Sequence, residues 1–216
     1  MTTFSKWTET NSLPTEGTYY LSENVTLTTA HELTGDLILD LNGCTITADG
    51  DFNAITVPAD KNVTFILTDC TGKGVITHQE GFAGSGVNML DKSTFTMYGG
   101  TISGNTAEYG GGVSMEGKSV FNMYGGTISG NTANMMGGGV DVDSSSTFNM
   151  TGGVISGNKT TNASANGGGV AVYYGGTFTM SGDAKIIGNT AANYGGGVYV
   201  CNSTFNMNGG IIGGAE

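Results

Sequence analysis

The sequence predicts an all-β fold, a single parallel β-helix (β-solenoid) with three short strands in each coil of about 27 residues. The first observation behind this prediction is an internal repeat, which begins near Phe95. Each unit has the order Phe-x-Met, a run centred on Ile, an Asn, a glycine triplet and a Val. The phenylalanines are separated by 26, 27, 30 and 27 residues, and they are Phe95, Phe121, Phe148, Phe178 and Phe205.

The second observation is that apolar residues within each segment lie two positions apart, which is the period of a strand and not of a helix. Phe95 and Met97 therefore face one side, while Thr94 and Thr96 face the other. When coils stack at the strand spacing of about 4.8 Å, equivalent residues form columns. We expect columns of Phe, Met, Ile and Val inside the solenoid and of Thr and Asn outside it.

The third observation is that the three corners of the coil differ in how much their length varies. Two are nearly constant, whereas the corner between the Asn and the glycine triplet holds 4, 5, 8 and 5 residues. Insertions are confined to this corner, so we expect it to be exposed. The glycines permit a sharp turn close to neighbouring coils. The preceding asparagines should stack in a ladder; they are Asn105, Asn131, Asn158 and Asn189.

The same pattern, in weaker form, extends the predicted β-helix over residues 36–216, as about six coils with an incomplete C-terminal coil. Residues 1–35 contain no glycine triplet, and we interpret them as an N-terminal cap and entry strand. The repeat is still running at Ile212, so we expect a longer natural protein and end-to-end self-association of this chain.

Charge and composition argue against nucleic acid and the membrane interior as partners. The chain has 216 residues, 18 acidic and only 7 basic, and its net charge is −11. All the basic residues are lysines, so no arginine is present to bind a carboxylate or phosphate through two hydrogen bonds. This charge predicts no binding of nucleic acid. The sequence has no apolar run long enough for membrane insertion and no apolar signal-peptide segment.

Carboxylates on adjacent coils form the first candidate site. Glu116, Asp141 and Asp143 occupy outward positions on or beside the Gly-Val strand. Such a group could divide acid and base roles in a hydrolase, or could bind Ca²⁺ as the one possible cofactor. It could equally be a solvated acidic patch. The absence of arginine, and of a histidine in register with this face, argues against catalysis. No metal site is assigned, and these three carboxylates are only candidate Ca²⁺ ligands.

Four tyrosines form the second candidate site. Tyr98 and Tyr124 should stack at one corner, and Tyr173 and Tyr199 should lie diagonally on the carboxylate face. Aromatic planes beside carboxylates and amides suit contact with a neutral glycan. Stacked tyrosines also stabilise a solenoid without any ligand.

The strand that carries Phe presents two outward columns that resemble the flat threonine surfaces of β-solenoid ice-binding proteins. Threonine is also simply a good strand residue. The first column contains Thr94, Val120, Thr147, Thr177 and Thr204, and the second contains Thr96, Asn122, Asn149, Thr179 and Asn206.

Cysteines and histidines provide no further site. Cys44 and Cys70 lie one coil apart near corresponding corners, and Cys201 faces outward, so three cysteines offer no even disulfide framework. His31 and His78 are far apart in register and lack ligand spacing.

The unit F-x-M-x-G-G-x-I-x-G-N-x-A, followed by G-G-G-V, resembles the right-handed parallel β-helix repeats in surface proteins of gut anaerobic bacteria. The segments 17–21 (GTYYL) and 39–43 (LDLNG) are similar to the entry coils of those proteins. A looser likeness is to chlamydial polymorphic membrane proteins, although Ile102 stands where that family has Phe. The resemblance implies right-handed coils, an extracellular or cell-surface location, and adhesion or surface display.

These observations favour a non-enzymatic, secreted or cell-surface β-helix that acts as an adhesin stalk or binding surface for a host or microbial glycan or protein. A glycan-binding or glycan-degrading module is the alternative, and ice binding through the Thr/Asn face is a third. A ligand groove requires a concave face beside ordered loops, whereas a stalk requires only smooth sides. Residues 159–166 form the only long corner, which favours the stalk.

Overall fold

The computed structural model describes residues 3–59 and 62–213, and over these residues the chain forms a β-solenoid with 26 strands. The described part contains no helix, and so none that could span a membrane. Every pairing between strands is parallel, and the strands fall into three long sheets and one short sheet. The all-β parallel β-helix predicted from the repeat is confirmed.

The first sheet, which we call the phenylalanine sheet, has nine strands. They are β1 (Ser5–Trp7), β2 (Gly17–Leu21), β4 (Leu37–Asp40), β7 (Thr64–Thr68), β10 (Thr94–Met97), β14 (Val120–Met123), β18 (Thr147–Met150), β22 (Thr177–Met180) and β25 (Thr204–Met207).

The second sheet, the isoleucine sheet, has eight strands. They are β3 (Val25–Leu27), β5 (Thr45–Ala48), β8 (Val75–His78), β11 (Thr101–Ser103), β15 (Thr127–Ser129), β19 (Val154–Ser156), β23 (Lys185–Ile187) and β26 (Ile211–Gly213).

The third sheet, the valine sheet, has six strands, so six coils contain all three strands. They are β6 (Ile55–Val57), β9 (Val87–Met89), β13 (Val113–Met115), β17 (Val140–Val142), β21 (Val170–Val172) and β24 (Val198–Val200). The short fourth sheet, the corner sheet, contains β12 (Thr106–Tyr109), β16 (Thr132–Met136) and β20 (Lys159–Thr160).

The register places identical residues on top of one another in the core. Phe95 pairs with Phe121, which pairs in turn with Phe148. The rings stack with centroids 4.7–5.1 Å apart, and Phe65 extends the column into an earlier coil. All of these rings are fully buried except Phe205, which is half-buried on the last described coil. The predicted phenylalanine column is therefore confirmed.

The expected asparagine ladder is also present. The amide of Asn131 donates to Oδ1 of Asn158 at 2.9 Å and to the carbonyl of Ile102 at 2.9 Å. At the other end of the ladder, Oδ1 of Asn105 lies 2.7 Å from Nδ1 of His78. These fully buried amides pair the backbone at a turn that could not otherwise satisfy its polar groups.

The three residues before the valine-sheet strand β13 are glycines because a side chain at these positions would meet neighbouring backbone. Gly110 has a φ of +56°, a left-handed conformation. A Cβ on Gly111 would lie 2.5 Å from the carbonyl oxygen of Thr132 on the next coil. The chain therefore returns to the valine sheet through backbone that touches its neighbouring coil directly.

The variable corner is largely exposed, as its length variation predicted, but it is an ordered sheet in part of the solenoid. In three consecutive coils it forms the corner sheet, and Ala165 and Asn166 in its longest version are buried. Backbone groups of successive coils pair here because they would otherwise lack partners. This ordered sheet forms a raised edge beside the valine sheet.

The two ends of the solenoid are built differently. The segment 3–35, interpreted as a cap and entry strand, contributes β1, β2 and β3, which pair into the phenylalanine and isoleucine sheets. On the last described coil, inward positions are open: Met207 is 51% exposed and Val200 is 39% exposed.

Candidate functional site

Two adjoining cavities lie along the outer face of the valine sheet. One, of about 340 Å³, is lined by Asp141, Asp143, Tyr173 and Tyr174. The other, of about 300 Å³, extends towards Asn53 and Ala83 on earlier coils. Because the two share lining residues, we treat them as one groove, and the shared residues are Tyr109, Ser114 and Glu116.

Strand register explains how the carboxylates come together. Ser114 on β13 pairs with Asp141 on β17, and Asp141 pairs with Ala171 on β21. Glu116 and Asp143 follow the ends of β13 and β17 one coil apart, where their amides donate to carbonyls of the preceding coils. The structure therefore brings the three predicted carboxylates, Glu116, Asp141 and Asp143, to one groove.

Asp141 differs from the solvated carboxylate that its outward position predicted, because it is only 2% exposed. The side chain of Tyr173 lies over it from the next coil and is itself 8% exposed. The Tyr173 hydroxyl donates to Oδ2 of Asp141 at 2.8 Å, whereas Oδ1 is buried without a hydrogen-bond partner. Glu116 remains exposed and Asp143 is half-buried, so only the central carboxylate is enclosed.

Burial raises the pKa of Asp141 well above its ordinary value. The hydrogen bond from Tyr173 acts in the opposite direction, while the charges of Asp143 and Glu116 raise this pKa further. Removal from water is therefore a larger cause of the raised pKa than repulsion between the carboxylates. Burial and the charge of Asp141 likewise raise the pKa of Tyr173.

The four tyrosines predicted to contact a glycan separate into two groups. Tyr173 lines the groove, and it shares a further cavity of about 220 Å³ with Tyr199. Tyr98 and Tyr124 stack as expected, with centroids 5.0 Å apart, but they lie at the corner between the phenylalanine and isoleucine sheets. Of the four predicted tyrosines, the structure thus places only Tyr173 in the groove with the carboxylates.

Two further tyrosines of the groove were missed in the sequence. Tyr109 is 40% exposed at the end of β12, and Tyr174 is 72% exposed at the corner after β21. Tyr109 comes directly before a glycine triplet, where the next coil has Met136. Alignment of that one position across the repeats would have revealed it.

No three residues among His, Cys, Asp and Glu in the described part of the chain are grouped so that they could hold a metal ion. Glu116, Asp141 and Asp143 thus share the groove without forming such a set. His31 and His78 are buried singly; His31 lies 3.2 Å from the carbonyl of Pro14, and its burial lowers its pKa.

The other predicted features lie away from the groove. The two Thr/Asn columns on the phenylalanine sheet are in register, and Asn149 donates to Asn122 at 3.0 Å within one of them. All three cysteines are free. The thiol of Cys70 instead donates to Oδ1 of Asn42 at 3.3 Å, and the carbonyl of Cys44 accepts from Val75.

Comparison with protein-family models, with curated proteins and with solved structures finds no match for this chain.

Proposed function

We propose that this β-solenoid is a non-enzymatic glycan-binding protein and that the groove of the valine sheet holds the glycan. The observation that carries the proposal is the combination of exposed tyrosine planes, Tyr109 and Tyr174, with the carboxylates Glu116 and Asp143 in one concave surface. Sugars offer apolar ring faces for stacking and hydroxyls for hydrogen bonding, which this lining matches.

The shape of the solenoid supports a ligand surface in preference to a plain stalk. The sequence favours a stalk because only one corner, residues 159–166, is long enough to interrupt smooth sides. Short corners also contribute to the raised edge, because β12 and β16 pair with each other along the groove. The valine side is therefore not smooth.

The enclosure of Asp141 supports binding in preference to hydrolysis. Oδ2 of this carboxyl is held by Tyr173, and Oδ1 is closed off from solvent. Neither oxygen is placed to pass a proton to a glycosidic oxygen in the free protein, which a general acid must do.

The expected setting of this activity is extracellular or at the cell surface, with a host or microbial surface glycan as the partner. This part of the proposal is supported by the resemblance of the repeat to bacterial surface β-helices.

A glycan array probed with and without calcium tests the proposal, with two tyrosine variants as a matched pair. Tyr109→Ala removes a groove plane that is 40% exposed, and Tyr124→Ala removes one that is 50% exposed at a different corner. We expect Tyr109→Ala to weaken binding about tenfold or more and Tyr124→Ala to leave it unchanged.

Three results would contradict the proposal. These are the absence of any bound glycan, equal losses in the two tyrosine variants, and release of shorter products from a bound oligosaccharide. The last result would instead establish the glycan-degrading alternative.

A further inference from the structure

The unpaired oxygen of Asp141 is the feature of the groove that still lacks an explanation. A buried polar atom without a hydrogen-bond partner destabilises the fold, and native structures contain few such atoms. Oδ1 of Asp141 is one, and it belongs to a residue that lines the groove and is 2% exposed. A ligand that supplies a hydrogen-bond donor at this point would remove the deficit.

The charge of the groove limits which ligand that can be. Glu108 and Glu116 line one cavity, and Glu116, Asp141 and Asp143 line the other. Among the described residues, no lysine lines either cavity, and the sequence contains no arginine. A cleft lined by one sign of charge attracts the opposite sign and repels its own, so anionic sugars are disfavoured.

A bare metal ion does not match this arrangement, because the described carboxylates do not form a group of three that could hold one. An ammonium group makes a different demand. It carries three N–H donors that can be directed to separate acceptors, and it does not require a closed shell of oxygens.

We propose that the groove selects a glycan that bears free amino groups, with one ammonium N–H donated to Oδ1 of Asp141. This inference rests on the proposed glycan-binding function and names the class of glycan. Glu116 and Asp143 follow the same strand on neighbouring coils, about 4.8 Å apart along the solenoid, and they provide further acceptors beside Asp141. Because Oδ1 is enclosed in the free protein, this proposal requires the ring of Tyr173 to move aside when the ammonium enters, and Oδ1 then serves as an acceptor and not as a general acid.

The exposed aromatic planes favour an amino sugar over a lysine-rich peptide. Tyr109 and Tyr174 present 40% and 72% of their surfaces to solvent beside the carboxylates. Flat rings of this kind suit the face of a pyranose, whereas a lysine-rich peptide would need only the carboxylates.

The test uses three β-1,4-linked pentamers that differ only at C2: glucosamine, N-acetylglucosamine and glucose. Calorimetric titration at about pH 6 keeps most of the C2 amines protonated, because this pH is below the pKa of an amine beside electron-withdrawing groups. We expect the glucosamine pentamer to bind at least about tenfold more tightly than the other two. This preference should shrink between about 0.05 M and about 0.5 M salt, because salt screens charge.

Variants of the full chain test whether Asp141 causes the preference for the glucosamine pentamer. Asp141→Asn keeps the shape of the side chain and removes its charge, and we expect it to reduce the preference for glucosamine to less than about threefold. Asp183→Asn is the matched control, since Asp183 is an exposed carboxylate at another corner. Circular dichroism of both variants checks that the solenoid is intact.

Each unfavourable result has a separate meaning. Equal binding of the three pentamers would overturn the amino-sugar inference and leave the glycan-binding function standing. If neither variant loses selectivity, Asp141 does not have the proposed role. Pentalysine is titrated as a further probe, and tighter binding of pentalysine than of the glucosamine pentamer would identify a basic peptide as the ligand instead. If no glycan binds at all, the proposed function itself fails.

Discussion

The outer faces of the phenylalanine and valine sheets belong to the same solenoid but follow opposite rules. On the phenylalanine sheet, one outward column is threonine on every coil from β7 to β25 except one; it contains Thr64, Thr94, Val120, Thr147, Thr177 and Thr204. On the valine sheet, the outward column contains six different residue types; it contains Thr56, Asn88, Ser114, Asp141, Ala171 and Tyr199.

The difference shows which positions are determined by stacking. Identical residues suit a parallel stack when they are rings, amides or threonines, because each matches the one above it. A column that changes type at every coil gains nothing from such matching. Variation on the valine sheet therefore does not come from stacking, and we attribute it to the glycan-binding role proposed for this face.

The largest expected effect lies in the inward columns, which repeat behind both faces. Phe148 stacks between Phe121 and Phe178 at 4.7 Å and 4.8 Å and is fully buried. Phe148→Ala should lower the free energy of unfolding by about 3 to 5 kcal/mol, as measured by urea denaturation. Phe205→Ala is the comparison, and it should cost less because Phe205 is half-buried and stacks on one ring only. Equal losses of stability in the two variants would show that burial and two-sided stacking do not determine how much each phenylalanine contributes.

The next largest effect is an increase in the free energy of unfolding, and it is expected on the valine face. Asp141→Asn should raise the free energy of unfolding at neutral pH by about 1 to 3 kcal/mol, because an amide is less costly to bury than a carboxylate. The pKa of Asp141 is raised in the folded state, so its contribution to stability is complete below about pH 3.9 and is lost as the pH rises through the folded value.

The advantage of the Asp141→Asn variant should therefore grow with pH over that window. Urea denaturation at a series of pH values checks this, with the half-buried Asp143→Asn as the control of smaller effect. A variant that is less stable than the wild type at neutral pH would show that the carboxylate supports the fold.

A third effect concerns an inward column where it becomes exposed. Met180 is fully buried, whereas Met207 in the same column is 51% exposed. We expect this exposed apolar surface to associate with another copy at high protein concentration. Met207→Lys should raise the dissociation constant for that association about tenfold, as followed by light scattering. Asn206→Lys adds the same charge at the neighbouring exposed position, and an identical effect there would point to charge alone.

The smallest effect is expected on the threonine columns of the phenylalanine sheet. Thr147→Ala should change the free energy of unfolding by no more than about 0.5 kcal/mol and should leave groove binding unchanged. The same variant tests the ice-binding alternative in a thermal hysteresis assay. Hysteresis in the wild type that falls in Thr147→Ala would assign a function to this face.

The sequence alone determined the solenoid, its three strands per coil and its ladders. Period two selects strands, and equal spacing brings Phe95 over Phe121 and Asn105 over Asn131 whatever lies outside the core. The meeting of Glu116, Asp141 and Asp143 in one groove followed from the same spacing, because register depends only on counting along equivalent coils.

Only the tertiary structure decided that Asp141 is buried and that a groove exists around it. Alternation assigns Asp141 to the outer face, but it does not show that Tyr173 from the next coil closes over that position. The variable corner likewise reads as a loop until β12, β16 and β20 pair across coils and form the raised edge. The contact between Asp141 and Tyr173 joins residues 32 positions apart that differ from their equivalents on other coils, so no periodicity in the sequence records it. At the corner, only Thr106 and Ala107 pair with identical residues before the register shifts, and a pattern of two residues is too short to identify a strand.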